Sequence, residues 1–355
     1  MLWLCGKLFP LKAVIETIGL PWWNDYSMSL YLITGVAGFI GSSLAHALIA
    51  RGERVRGVDN FATGKRENIE ELGGRIEFLE GSVEDGELMA GACRGADYVL
   101  HQAALASVPR SVVDPLASNR ANVDGTVTLL WAAKNASVKR VVFAASSSAY
   151  GDTPTMPKHE EMIPNPISPY AVSKLAGEHY MSSFYRVYGL ETVCLRYFNI
   201  FGPRQDANSQ YSAVLAKFIT MMLEGKQPTI YGDGEQSRDF TYIDNAVSAN
   251  LLACTASAEK ACGRSFNVAT GARFDLNETF EILKKLTGFR GEPAYAAGRA
   301  GDVKHSLADV SAAAAGLGYK PLVQFEEGLR RTVEWYRTMS GTPVSTSGAQ
   351  VHERE

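Results

Sequence analysis

LYLITGVAGFIGSSLAHALIARGERVRGVD, residues 30–59, is the stretch that decides the fold. LYLIT (30–34) is a short apolar run and reads as a strand buried on both faces. A helix is expected from about residue 38 to 51, and RVRGVD (54–59) is the next strand. Between the first strand and the helix stand Gly35, Gly38 and Gly41, spaced G-x-x-G-x-x-G. Glycines at such a turn let the backbone come close to a pyrophosphate, and the unpaired N–H groups of the helix N-terminus stabilise its charge. Asp59 closes the second strand, where a carboxylate accepts from both ribose hydroxyls of a dinucleotide and repels a 2′-phosphate. That combination points to NAD rather than NADP. A plain glycine-rich turn and a plain strand-end aspartate are the competing readings.

The pattern continues outward from this unit. Further strands are expected at 76–81, 97–103, 139–146 and 191–199, with helices over 122–135 and 169–188 between them. Apolar strands interleaved with helices predict an α/β fold, a doubly wound parallel sheet of Rossmann type spanning residues 30–199. After residue 199 the rhythm loosens. A helix over 213–224 and short strands around the Gly-Asp-Gly turn at 232–234 suggest a smaller C-terminal α/β substrate region, residues 200–239 and 263–339. The segment 240–262 is expected to return to the main sheet. Residues 1–29 form an extension broken by Lys7, Lys12 and Glu16; it suggests an amphipathic helix over 11–19, or a true start at Met28, more than a signal peptide. The polar tail, 340–355, has the composition of a disordered segment.

The whole chain has 355 residues, 46% hydrophobic and 21% charged, with a net charge of −3, which leaves no electrostatic footprint for nucleic acid. No apolar run reaches the roughly 18 residues of a membrane span. Cys5, Cys93, Cys194, Cys254 and Cys262 show no CxxC pair and read as reduced thiols of a cytoplasmic protein without a metal site.

Tyr170 and Lys174 stand four residues apart on an expected helix and so share a face. An ammonium beside the phenol favours the phenolate and draws its pKa down from about 10 toward neutrality. This makes a general base for a sugar hydroxyl, with one hydroxyl of Ser146, Ser147 and Ser148 to share the proton. His101 reads as a packed strand-end histidine, and the small residues Ala103 and Ala104 after it leave room for a nicotinamide. Asn122 is placed either to bond the strand ends or to cap a helix. Arg204, Arg238 and Arg299 fall in loops, and with Lys217 they have the charge to neutralise the pyrophosphate of a nucleotide sugar.

TGVAGFIG, HQAA, NVDGT, SSSAYGD, YAVSK, RYFNIFGPRQ, RDFTYIDN and RAGD together resemble the extended short-chain dehydrogenase/reductase family, and within it the UDP-hexose 4-epimerases. The resemblance covers residues 30–339. It implies Ser146 as catalytic hydroxyl, Tyr170 as base, and Lys174 as its electrostatic partner and a nicotinamide-ribose ligand. NAD would then be lined by Gly35, Gly38, Phe39, Ile40, Gly41, Asp59 and Asn60, by Ser82 and Val83, and by Gln102, Ala103, Ala104, Asn122 and Tyr197. Ser82 stands where relatives often carry an aspartate beside the adenine. Asn199, Arg238, Arg299 and Asp302 match positions that hold UDP; Arg110, Val214, Lys217 and Tyr231 fall to the same substrate region. Extended dehydratases usually carry an Asp-Glu pair where Ser147 and Ser148 stand, so the groups for water elimination are missing.

SVPRS (107–111), GPRQDANSQYSAV (202–214) and AGDVKHSLAD (300–309) resemble the epimerases of UDP-N-acetylhexosamines. Enzymes limited to unacetylated sugars usually have a tyrosine where Ser306 is, and Ser147 and Ala213 keep the same wall small. The implied reaction is reversible C4 epimerisation of UDP-hexoses through a 4-keto sugar, with bound NAD as a transient hydride store. A UDP-glucuronate 4-epimerase, another NAD-dependent nucleotide-sugar oxidoreductase or decarboxylase, and an inactive NAD-binding regulator are the alternatives. Relatives also pair the helices over 122–135 and 169–188 into a homodimer, and Leu129, Leu130, Trp131, Tyr180, Met181, Phe184 and Tyr185 are expected on that face.

Overall fold

The computed structural model describes residues 28–207, 214–298 and 304–340, together with the paired strands Leu2–Leu4 and Lys7–Phe9. The expected helix over 11–19 and the tail beyond residue 340 lie outside the described residues, as do Ala213, Arg299 and Asp302.

Seven strands make the central sheet: β1 (Leu30–Thr34), β2 (Arg54–Asp59), β3 (Ile76–Glu80), β4 (Tyr98–His101), β5 (Arg140–Ser146), β6 (Glu191–Tyr197) and β7 (Arg264–Val268). Their order is β3-β2-β1-β4-β5-β6-β7, and every pairing is parallel. The order reverses between β1 and β4. Chains leave those two strands in opposite directions, which opens a crevice at their carboxyl ends where doubly wound sheets bind ligands.

Eight helices concern the site: α1 (Phe39–Ala50), α2 (Gly86–Cys93), α3 (Gly125–Asn135), α4 (Pro169–Tyr188), α5 (Val214–Leu223), α6 (Ile243–Thr255), α7 (Leu276–Thr287) and α8 (Phe325–Ser340). Because strand side chains alternate, Leu32 and Ile33 go to opposite faces of the sheet. Leu32, Val99, Val141 and Phe143 pack under Met89 of α2, Leu129 and Leu130 of α3, and Met181 and Phe184 of α4. Ile33, Leu100, Val142 and Leu195 pack on the other side under Leu44 and Leu48 of α1 and Ala249 and Ala253 of α6. The helix bearing Tyr170 is bounded by local chemistry. Ser168 accepts from the N–H of Ala171, Pro169 occupies the first turn, and Gly189 ends it in the left-handed conformation.

Two expectations change. The division at residue 263 severs β7, which pairs with β6 as the seventh strand of the main sheet. Its run RSFNV is only five residues long, so the pattern does not separate it from the region beyond. The expected exposed stripe is also mostly core: Leu129, Leu130, Met181 and Phe184 are buried because α3 and α4 turn those positions to the sheet. Tyr185 packs at the edge of the opposite cluster, and only Trp131 and Tyr180 of the seven stay exposed.

The smaller lobe has a core of its own, in which Phe325 is central. Its ring lies 4.3 Å from Phe274, 5.1 Å from Phe240 and 5.7 Å from Phe201. Phe325→Ala removes all three partners and leaves a cavity, at a cost of about 3–5 kcal/mol. Urea denaturation should show that loss as an earlier transition, and an unchanged midpoint would refute the placement of this ring at the centre of the lobe.

Candidate active site

The turn after β1 is built by close approach. Gly35 is left-handed (φ 70°), and a Cβ there would lie 2.8 Å from the backbone of Ala103; one at Gly41 would lie 2.1 Å from the Gly35 carbonyl oxygen. Only glycine fits, and α1 therefore starts directly behind the ends of β1 and β4. Gly38, the residue before α1, offers no side-chain cap, and the first turn of the helix carries no acidic residue. The leading N–H groups of that turn, around Phe39 and Ile40, suit an anion.

The cleft in front of this turn is lined by Gly35, Gly38, Asp59, Asn60, Ser82 and Val83, and by Gln102, Ala103 and Ala104 of the segment after β4. Asp59 is buried; one carboxylate oxygen accepts from the N–H of Ala37 at 2.9 Å and the other from Phe61 at 2.8 Å. Burial raises its pKa, while the N–H groups of Phe61, Ala37 and Asn60 oppose the rise. Each oxygen keeps a lone pair for a ribose hydroxyl. A glycine cradle, an uncapped helix end and a strand-end carboxylate together fit a dinucleotide without a 2′-phosphate. The cleft also includes Thr63, Glu84 and Ala121, which no spacing in the sequence marks.

Ser146 ends β5, and its hydroxyl accepts from the Ser148 hydroxyl at 2.8 Å and the Ser148 N–H at 3.2 Å. Ser147 and Ser148 belong to the 3-10 turn Ser147–Tyr150 that follows. Tyr170, at the start of α4, meets the same serine: burial raises its phenol and the hydrogen bond with Ser146 lowers it. Lys174 donates to the Ala144 carbonyl at 2.8 Å, lies 4.8 Å from the centre of the Phe143 ring, and is lowered by burial to about 8. Ser146, Tyr170 and Lys174 thus gather at the end of β5. The expected lowering of the phenol by Lys174 is not what governs it in the protein alone, because burial outweighs the other influences on Tyr170.

The neighbouring polar side chains hold this edge together. His101 is fully buried between Thr34 (2.7 Å) and Thr126 (3.0 Å), and burial followed by the charge of Lys174 lowers it to about 3. It is a packed histidine, as expected. Asn122 is not an N-cap; it lies inside the π-helical turn Arg120–Asp124 that runs into α3. Its side chain accepts from the N–H of Leu105 at 2.8 Å and donates to Ser173 of α4 at 2.9 Å. The segment after β4 is thereby tied to the helix of Tyr170. Tyr197 spends its hydroxyl within the protein, accepting from Asn250 at 2.7 Å and donating to Gln102 at 3.2 Å, while Gln102 donates to Asn250 at 3.1 Å. The Gln102 amide thus faces Asn250 and Tyr197.

A second cavity opens in the smaller lobe, lined by Asn199, Val214, Tyr231, Arg238, Gln236 and Phe240, among others. The Arg238 guanidinium donates to the carbonyls of Ser237 and Lys304, both at 3.0 Å. Asn199 donates to the Asp239 carbonyl at 3.1 Å and to the Ser306 hydroxyl at 3.3 Å. Of the expected cations among the described residues, Arg204, Lys217 and Arg238, only Arg238 lines this cavity. Arg204 turns to α1 and donates to Ser43 at 3.4 Å, and Lys217 is exposed on α5, where Leu215 lines the cavity instead. Arg110 sits on the short helix Val108–Val113, outside both clefts; that helix touches the site through Ser111, which accepts from the Tyr170 N–H at 3.0 Å. Gln236 and Phe240 also line it, although nothing in the sequence pattern marks them beside Arg238.

Proteins similar to this chain include UDP-sugar 4-epimerases and also UDP-sugar decarboxylases. The NAD dependent epimerase/dehydratase family matches residues 31–269. A putative UDP-glucose 4-epimerase of Methanocaldococcus jannaschii is 37% identical over 315 residues, 88% of this chain and 100% of its own length. The crystal structure of the Thermotoga maritima UDP-glucose 4-epimerase with UDP-glucose is 41% identical, with a TM-score of 0.83, over 88% of this chain and 99% of that one. The UDP-N-acetylglucosamine 4-epimerase of Methanobrevibacter ruminantium, in complex with UDP-N-acetylmuramic acid, is 43% identical with the same TM-score and the same coverage. The glycine cradle, Asp59 and the Ser146–Tyr170–Lys174 cluster lie inside the matched span, and the cofactor is NAD. This chain belongs to the NAD dependent epimerase/dehydratase family.

Proposed function

We propose that the protein interconverts UDP-hexoses at C4 and accepts UDP-N-acetylglucosamine and UDP-N-acetylgalactosamine as well as UDP-glucose and UDP-galactose. The observation that supports this reading is the hydrogen bond from Asn199, which lines the cavity with Arg238, to the Ser306 hydroxyl: a small side chain stands directly behind a cavity-lining residue.

Tyr170 takes the proton from the sugar O4, and the Ser146 hydroxyl, bonded to Ser148 and to the phenol, steadies the oxygen as the proton moves. Bound NAD supplies the two-electron acceptor for C4 and a positive ring charge that favours the phenolate. Lys174 adds a second cation on the same helix face. Arg238 and Asn199 hold the UDP portion while the 4-keto sugar turns over and presents its other face. Binding the part of the substrate that does not react keeps the intermediate in place. The protein acts on soluble nucleotide sugars in the cytoplasm, and no helix of the described residues is long and apolar enough to cross a membrane.

Trp131 and Tyr180, with Val187 and Tyr188, leave an apolar patch across α3 and α4, and a second copy of the chain is the occupant assigned to it. Light scattering at micromolar concentration should give the mass of a dimer, and Trp131→Asp should move it toward the monomer. A monomer mass for the unaltered protein would remove this part of the reading.

Tyr170→Phe should lower turnover about 10²–10⁴-fold without loss of bound NAD. Product stereochemistry over a panel of UDP-hexoses and UDP-glucuronate measures this. Near wild-type epimerisation by the variant, or turnover confined to the uronate, would contradict the assignment.

Ser306→Tyr adds a ring with roughly 150–250 Å² of surface to bury. A close-packed wall cannot absorb it cheaply. The variant should lose activity on the N-acetylated substrates and retain much of it on UDP-glucose and UDP-galactose. Equal losses on both classes would leave the acetyl pocket without support.

A further inference from the structure

Asp239 is the residue between two that line the substrate cavity, Arg238 and Phe240, yet its own carboxylate is fully buried and faces away from it. One oxygen accepts from the N–H of Thr270 at 2.9 Å and its hydroxyl at 2.8 Å; the other accepts from the N–H of Gly271 at 3.0 Å and of Ala308 at 3.3 Å. A carboxylate out of water is costly unless its lone pairs are met, and here four donors meet them. The backbone of the same residue is engaged in the other direction. Its carbonyl accepts from Asn199 at 3.1 Å, and its N–H donates to the Ser306 hydroxyl at 3.4 Å.

Three other pieces of chain therefore converge on Asp239, whose own segment carries Arg238 and Phe240. They are the end of the β6 segment with Asn199, the turn after β7 with Thr270 and Gly271, and the 304–309 segment with Ser306 and Ala308. We propose that Asp239 is a positioning residue that fixes the nucleotide end of the substrate cavity by clamping these three segments in register with its own. Resting on the functional reading above, this assigns to a group that touches no substrate the placement of Arg238, Asn199 and Ser306. Ser146, Tyr170 and Lys174 stand on β5 and α4, outside the clamp.

Asp239→Asn is nearly isosteric but carries one amide N–H₂ in place of an acceptor, so it faces at least one N–H donor with another donor. Thr270→Val removes one of the four donors and alters no group that lines the cavity. The binding of UDP alone is measured by calorimetry, next to bound NAD, thermal midpoint and steady-state kinetics. A displacement near 1 Å at a binding group costs up to about 10²-fold. Asp239→Asn should weaken UDP at least about tenfold and raise KM for the UDP-sugar in parallel, while kcat changes only a few-fold and NAD content stays at the wild-type level. Thr270→Val should shift UDP affinity the same way by a smaller factor. A lower thermal midpoint with wild-type UDP affinity, measured well below that midpoint, would overturn the proposal and leave Asp239 a structural residue only. If Asp239→Asn does not fold, Thr270→Val decides: unchanged UDP affinity overturns the clamp. Failure of the unaltered protein to bind UDP would bring down the functional reading itself, and is distinguished from failure of the clamp by that control.

Discussion

The backbone of Gly35 lies against that of Ala103, and no residue with a Cβ can stand there. This contact joins the ends of β1 and β4, the two strands between which the sheet order reverses. It also sets where α1 begins, since Gly41 must in turn pass the Gly35 carbonyl. The helix N-terminus, the Asp59 carboxylate and the small residues after β4 then face one crevice. A bulkier side chain at this turn would part the strands and withdraw the helix end from the anion it serves. The cofactor site is in that sense a packing consequence before it is a set of ligands.

The proposed catalytic and nucleotide-holding groups come from different layers of the molecule. Ser146 and Tyr170 belong to the edge of the main sheet and the helix over it, tied through Asn122 and Ser173 to the segment after β4. Arg238 and Asn199 belong to the smaller lobe, whose aromatic core around Phe325 is separate from the two clusters that cover the sheet. This division suits a reaction in which the UDP half of a substrate is gripped while the sugar half must turn. Rigid placement is needed at both ends, and each end has its own core to supply it.

The parallel sheet and the first strand–turn–helix unit were legible in the sequence because each element is long, apolar and flanked by a turn residue with a mechanical role. The Tyr170 helix was legible to its last residue, since Ser168, Pro169 and Gly189 mark both its ends. What the sequence does not separate is β7, a strand of only five residues, or the direction in which α3 and α4 present their apolar residues. A stripe of Leu, Met and Phe reads alike whether it meets a sheet or a partner. Arg204 and Lys217 show the same limit for the site: charge in a loop does not say which way the side chain turns, and both turn elsewhere. Tyr170 shows it for electrostatics, because the i, i+4 spacing with Lys174 does not reveal how strongly burial raises the phenol. Asp239 is silent in the sequence for a similar reason, since its four donors come from distant segments.

The most direct test of the account follows the atom that the reaction is said to remove and return. A UDP-sugar that the protein turns over is prepared with deuterium at C4 and brought to equilibrium, and the product is read by NMR and mass spectrometry. Retention of the label at C4 in both epimers, with none in water and no dependence on added NAD, is the predicted result. Loss of deuterium to solvent, or epimers that differ at any carbon other than C4, would contradict the central claim.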